Sequence, residues 1–494
     1  MIKAIITICF LYLSFQSYGF EWVEDTNNEP PVLLSLEEAL ILAIKNNPSL
    51  KIQKIVPELN QQLEIIQDAL FDPEFSSSTQ VSTESKLSSD QDRSAKDFNA
   101  ALGVSKRTFS GGAMRVDVSV NREESTGVTN DNQDFTDSID TEFTFNQPLL
   151  EGRGSKISRV HVQKARLNTA YSKHQVRRFI ETLLFNTSNR YWDYYLEKEK
   201  LKVFQESYQL ALKHQQDVEA FIETGKVAEI ELAIVQAEVS SRKERLIKAQ
   251  GLIYKSKLQL IHFIHNYSPL SEDWMQNILP NTDPAKIYSK LERVQNYLEV
   301  AIQKRPEIQQ AQIDIEKSEL EWLETKNGLL PKLDFFISLG NTQYSNSFVS
   351  DGQTHNSKQS VQLGLNYRFP VSQHADKARH RRSELIKERE IYALDNLYKT
   401  IGQDVRMAYI DCQTNLESIK TGAITKKLRI KSLKNQEIKF ELGNATNTDI
   451  ANSQRDLLQS QINYTTAIIS YIKSRNKLHY LDSTLVERTR IQVN

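Results

Sequence analysis

The sequence predicts an internally duplicated α+β protein in which strands of membrane-barrel length feed very long helices. Three observations carry this. One gapless offset of 258 places Ala43 on Ala301, Ile44 on Ile302, Pro48 on Pro306 and Pro73 on Pro331. A unit that long is a duplicated domain rather than a solenoid repeat. Several segments alternate apolar and polar residues with period two, and others run for some seventy residues without proline in a heptad pattern.

In chain order, Ser35 with Glu38 three residues on forms a capping box opening a short helix to about Asn46. Pro48 restarts a helix to about Leu70, and Pro73 ends the helical pattern. Phe98, Ala100, Leu102 and Val104 then alternate with polar or small residues, as do Met114, Val116, Val118 and Val120, and Phe143 and Phe145. In the second half Leu333, Phe335, Ile337 and Leu339 alternate likewise, followed by Val361, Leu363, Leu365, Tyr367 and Phe369. Strands of about 9–11 residues, apolar on one face, suit a transmembrane barrel with a wet lumen. A soluble sandwich with one buried face gives the same alternation. Residues 84–96, 122–138 and 343–358 are polar and fit long loops, whereas Ser110-Gly111-Gly112-Ala113 fits a tight hairpin turn. Long loops at one end and a short turn at the other is the asymmetry of outer-membrane barrels.

From residue 155 to Thr224 the chain holds neither proline nor glycine. Seventy helical residues span roughly 105 Å. Ile180, Thr187, Tyr194, Leu201, Tyr208, Gln215 and Ile222 recur every seven residues, flanked by Leu184, Tyr191, Phe204, Ala211 and Val218, which is a coiled-coil seam. Gly225 breaks the rod and 228–264 return; 375–440, Gly443 and 448–480 repeat the design. Rods this long must pack lengthwise on one another.

Residues 1–19 have the pattern of a secretory signal: Lys3, an apolar stretch from Ala4 to Phe15, and small residues at Ser17 and Gly19. That stretch is too short for a membrane helix, and no later segment reaches about 18 apolar residues. Without residues 1–19, which hold one lysine and no acid, the formal charge falls from −1 to −2. This balance argues against nucleic acid as a partner. Cys9 lies inside the signal, which leaves Cys412 alone, without an intrachain disulfide. No hydrolase, metalloprotease, thiol-redox or phosphate-loop motif is present, so no enzyme, cofactor or metal is expected; His262 and His265 find no further ligand nearby.

Three motifs are each present twice over about residues 36–482. They are the helix starts from Ala43 to Pro48 and Ala301 to Pro306, and the strand-to-helix junctions Phe145 to Leu150 and Tyr367 to Pro370. The third is a glycine followed six residues on by an acid: Gly225 with Glu231, and Gly443 with Asp449, at an offset of 218 that also pairs Gln236 with Gln454. Together, in this order, these motifs resemble the TolC family of outer-membrane efflux and secretion ducts, and the resemblance implies a homotrimer whose chains share one outer-membrane β-barrel and one periplasmic helical tunnel. It implies four strands per chain. The strands at 98–105 and 114–121 would then be either a hairpin outside the wall, which the family's precedent favours, or part of a six-strand contribution. Pro73, Pro148, Pro331 and Pro370 would mark where barrel becomes tunnel.

By the same resemblance, Asp449, with Asn452 one turn on, and Glu231 would stand at a pore constriction where carboxylates of three copies attract cations. A helix N-terminal acid favoured by the macrodipole explains Asp449 equally. Thr224-Gly225-Lys226 and Leu442-Gly443-Asn444 would be tips meeting a periplasmic adaptor (membrane fusion) protein, itself joined to an inner-membrane pump or ABC exporter. Lys226 and Asn444 depart from the usual apolar residue, and Phe440 stands near a latch tyrosine of relatives.

The expected organisation is a signal at 1–19, a leader at 20–34, a first repeat at 35–270, a linker at 271–290, a second repeat at 291–482 and a tail at 483–494. The expected location is the outer membrane, with contact to its lipid and a long periplasmic extension. The expected function is a passive exit duct; a soluble periplasmic coiled-coil adaptor or scaffold is the alternative.

Overall fold

The computed structural model describes residues 32–86, 93–126, 134–265, 278–284, 291–345 and 356–489. The expected signal, most of the leader, and parts of the expected loops, linker and tail lie outside these residues. In order the elements are β1 (Val32–Leu34), α1 (Leu36–Asn46), α2 (Pro48–Asp68), β2 (Glu74–Lys86), β3 (Arg93–Arg107), β4 (Ala113–Thr126), β5 (Asp134–Pro148), α3 (Ser155–Ser158), α4 (Val160–Glu223), α5 (Ile230–Ile264) and β6 (Ile278–Pro280). There follow α6 (Val294–Lys304), α7 (Pro306–Asn327), β7 (Lys332–Ser345), β8 (Asn356–Arg368), α8 (His374–Glu441), α9 (Asn447–Leu481) and α10 (Leu485–Arg488).

The duplication is visible in atomic detail. Ala43 and Ala301 are both fully buried, and each carbonyl accepts at 3.1 Å from the backbone N–H four residues on, from Asn47 and Arg305. Pro48 and Pro306 then open the next helix, where a missing N–H costs nothing. The capping box is present: Glu38 N–H donates to Ser35 Oγ at 3.2 Å, and Ser35 N–H to Glu38 Oε2 at 2.8 Å.

The chain divides into two compact units. One takes the described parts of Met1–Asn47, Asn186–Ser289 and Thr414–Lys473. Its core joins Tyr191, Trp192 and Tyr194 of α4 with Leu260, Ile261 and Ile264 of α5, and Ile469 and Tyr471 of α9. The Tyr191 hydroxyl donates to the Leu34 carbonyl at 2.9 Å and accepts from Thr282 N–H at 3.1 Å; Tyr194 donates to the Ile278 carbonyl at 2.5 Å. These bonds secure a parallel pair, β1 with β6, which period-two patterning misses because each strand has three residues.

The other unit takes the described parts of Pro48–Phe185, Lys290–Gln413 and Ser474–Asn494. Its helical core packs Tyr297, Ala301 and Ile308 against Ile401, Val405, Ala408, Cys412, Leu478 and Leu481. Burial pushes the Cys412 thiol up, so it packs as a small inert residue.

This unit also carries one antiparallel sheet in the order β2-β3-β4-β5-β7-β8. The expected four strands with an outlying hairpin are thereby corrected to six. β3 and β4 lie inside the sheet, and without them β2 would have no neighbour. The reason is the phase of the alternation. One row of registered partners runs Phe75, Val104, Val116, Phe143, Leu339 and Val361, apolar on all six strands. The next row, on the opposite face, runs Ser76, Gly103, Asp117, Glu142, Gly340 and Ser360.

Candidate functional site

Two places gather the residues singled out by sequence: the sheet ends and the ends of the long helices. Pro73 directly precedes β2, Pro148 is the last residue of β5, Pro331 directly precedes β7, and Pro370 follows β8 by two residues. Each stands where a ladder N–H is no longer needed. Leu149 N–H continues the ladder to the Leu333 carbonyl at 2.7 Å, after which Gly152 and Gly154 turn the chain with φ of 84° and 96°. The β3–β4 turn packs here. Gly111 has φ 95°, and a Cβ on it would lie 2.2 Å from the Gly152 carbonyl oxygen. The Ser110 carbonyl accepts from Gly154 N–H at 2.9 Å, and Phe109 lies 5.0 Å from the Phe71 ring. Sequence marked this glycine pair as a turn; its docking on a junction forty residues away had no local signal.

The helix ends of the first unit form the second place. Helix α4 ends in a Schellman turn: Gly225 N–H donates to the Ile222 carbonyl and Lys226 N–H to that of Phe221, both at 2.9 Å. Helix α8 repeats it, with Gly443 to Phe440 at 2.9 Å and Asn444 to Lys439 at 2.8 Å. Gly225 and Gly443 have φ of 73° and 75° with open space around them, so conformation alone demands glycine. The Lys226 ammonium lies 5.5 Å from the Phe221 ring centre. A cation–π contact thus occupies the place of the apolar contact that usually closes such a turn. Thr224, Gly225, Lys226, Leu442, Gly443 and Asn444 are all exposed, Leu442 at 71%, and Ile230 beside them at 78%.

The three expected constriction residues divide. Asp449 is exposed and closes a capping box, its Oδ2 accepting from Thr446 N–H at 2.9 Å and Thr446 Oγ1 at 2.7 Å. Those bonds hold its carboxyl below the ordinary range. Asn452 is exposed one turn on. Glu231 is half-buried and accepts from Asn447 Nδ2 at 2.9 Å, tying the first turn of α5 to that of α9. Asn447 itself is buried, and neither it nor His214 stood out in the sequence. His214 occupies a seam position of α4 between Ala211 and Val218, with the Phe440 ring edge-on at 5.6 Å. Burial lowers its pKa, against Asp217 and the Asn447 amide, which raise it. Phe440 also lies 6.0 Å from Phe221, the rings tilted by 55°, so ring contacts join the two hairpins. A cleft of about 350 Å³ opens here, lined by His214, Asp217, Phe221, Glu437, Phe440 and Gln454 among others. Among the described residues no cluster of three or more His, Cys, Asp or Glu could hold a metal ion.

Residues 297–482 match the family model described as outer membrane efflux protein. No curated protein matches the chain. Solved structures share the fold. The CmeC outer membrane channel of Campylobacter jejuni aligns with a TM-score of 0.67 at 13% identity, over 91% of this chain and 85% of that one. CusC, described as a transmembrane channel, aligns at 0.68 and 12%, over 93% and 95%. The outer membrane protein VceC of Vibrio cholerae aligns at 0.67 and 13%, over 91% and 96%. The alternative of a soluble adaptor is not the family matched. By sequence over residues 297–482 the chain matches the outer membrane efflux protein model, and by fold over nine-tenths of its length it is similar to solved outer-membrane channels.

Proposed function

We propose that three copies of this chain form the passive exit duct of a tripartite efflux pump or type I secretion system, gated at the ends of the long helices. The observation that carries the gate is the pair of identical glycine turns 218 residues apart, both exposed, with Asp449 presented on the first turn beyond one of them. In a trimer, three copies of Asp449 and Asn452 would ring the mouth; its lowered pKa keeps Asp449 charged at any physiological pH. Glu231 stands at the same mouth and acts through Asn447, holding the two hairpins together. The edge-on and tilted contacts of Phe440 with His214 and Phe221 would serve where the family resemblance puts a hydroxyl latch. The exposed apolar tips, Ile230 and Leu442, with Lys226 and Asn444 beside them, are the surface offered to a periplasmic adaptor.

The test is single-channel recording of the purified chain in a planar bilayer beside Asp449→Ala. Small cation-selective openings that widen or lose selectivity in the variant support the gate. Conductance indifferent to the substitution keeps the duct and removes Asp449 from it. Folded protein without any conductance overturns the duct.

A further inference from the structure

We infer that the membrane wall of this duct has eighteen strands, six from each of three copies, closed by pairing β8 of one copy with β2 of the next. The inference rests on the trimeric reading above and deepens it.

The first observation is the two open edges. Among the described residues β2 pairs only with β3, and β8 only with β7. Each is a 13-residue strand. Long exposed edges invite pairing with another chain unless blocked by bulges or proline, and neither strand contains a proline. The registered strands alternate in direction, and six is an even number, so β8 of one copy and β2 of the next run antiparallel. The contact is heterologous, and such a contact generates a ring when its rotation closes.

The second observation is that both edges present their apolar residues to the same side. Registered partners in an antiparallel sheet share a face. Following the register from Phe75 leads to Val361, so Phe75 and Val81 of β2 share one face with Leu363, Leu365 and Tyr367 of β8. These side chains are 61–71% exposed. That face is continued by Val104 and Leu102 of β3 and Val116 and Val118 of β4. The central hairpin therefore belongs to the lipid-facing surface as fully as the strands beside it.

The third observation is the stagger. Crossing the sheet perpendicular to its strands from Glu74, the first residue of β2, the register passes Ser105, Arg115, Thr144 and Ser338 and arrives at Gln362. Strand β8 ends at Arg368, six residues further toward the rim. Six residues at about 3.4 Å over five strand spacings of about 4.8 Å inclines the strands by about 40° to the rim normal, within the range that closed barrels require. The sheet already has the shear of a barrel wall.

Width follows. Eighteen strands at that tilt give a backbone diameter of about 36 Å, against about 24 Å for twelve. Walls of 16–18 strands leave an aqueous channel. A lumen this wide passes a helix or hairpin of polypeptide without touching both walls. Selection among cargoes then falls to the helical mouth.

The experiment images the full-length protein in lipid nanodiscs, with its copy number from native mass spectrometry. Three copies and a ring of eighteen strands, β2 beside the next copy's β8, are expected. Three copies with a twelve-strand ring, or with the ring closed through other edges, overturn the eighteen-strand wall and leave the trimer. Any other copy number overturns both. A paired substitution reads the same point in cells. Val118→Arg places a charge on the apolar face of β4 and is expected to lower folded outer-membrane protein about tenfold or more, while the adjacent Ser119→Arg on the polar face does not. Equal tolerance of the two overturns the placement of β4 in the wall.

Discussion

Glu181 is only 2% exposed and has no ion-pair partner within salt-bridge reach among the described residues. Burial outweighs the Val486 backbone and Arg177, which favour the charged form, and Asp482 and Glu487 add to the effect of burial. Its carboxyl is pushed up to about 7. A raised acid binds its proton more tightly when folded, so its contribution is intact below the unfolded value of 4.5 and is lost as pH rises toward about 7. The loss above that window is at most about 3 kcal/mol. Glu181→Gln is therefore expected to raise the unfolding temperature at pH 8 and leave it nearly unchanged at pH 4, read by thermal melts in detergent. An equal shift at both values would remove the titration from the account. At the helix ends, Gly443→Ala and Gly225→Ala each force a side chain into the left-handed region at a cost of about 1–2 kcal/mol. Faster amide exchange confined to residues about 439–447 or 221–230, with the rest of the chain unchanged, is the expected signature.

The elements answer to three kinds of signal. Helix limits were legible because single residues set them: Ser35 and Glu38 open α1, Pro48 and Pro306 open α2 and α7, and Gly225 and Gly443 end the turns after α4 and α8. The middles of the strands were legible through period two, since each of β3, β4, β7 and β8 keeps one apolar face. Their limits were not: all six strands of the sheet run into the polar stretches 84–96, 122–138 and 343–358 expected as loops, because backbone pairing continues where the side chains of both partners are polar. The pair β1 and β6 was not legible, because three residues carry no period and their partners are tyrosines more than eighty residues away. The same holds for the Gly111 docking. Gly111→Ala would drive a Cβ to 2.2 Å from the Gly152 oxygen and is expected to dislodge the β3–β4 turn from the β5 junction. Loss of folded membrane-inserted protein, by protease sensitivity after fractionation, checks it; wild-type resistance would show that the turn shifts freely.

At the scale of the molecule, the proposed eighteen-strand wall and the proposed constriction at Asp449 make different predictions for ion selection. The polar face of the sheet carries Asp117, Asp140 and Glu142; if that face lines the proposed eighteen-strand bore, such charges are screened within about 10 Å at 0.1 M salt. Glu142→Gln is expected to leave the reversal potential in a salt gradient unchanged, whereas Asp449→Ala moves it toward zero. A shift with Glu142→Gln as large as with Asp449→Ala would place selection in the sheet instead.

The sequence by itself determined the duplication, the succession of strands and long helices, and the turn glycines, because periodicity, capping and left-handed φ act over fewer than ten residues. It also marked Asp449 as an acid at a helix start just past Gly443, whereas its exposure and its capping bond with Thr446 came from the structure. Tertiary structure alone decided that β3 and β4 stand inside the sheet, because alternation fixes which face a residue takes and leaves the neighbour open. It alone joined Glu231 to Asn447 and His214 to Phe440, partners 216 and 226 positions apart, since hydrogen bonds and ring contacts depend on where helices meet and leave no period in the chain.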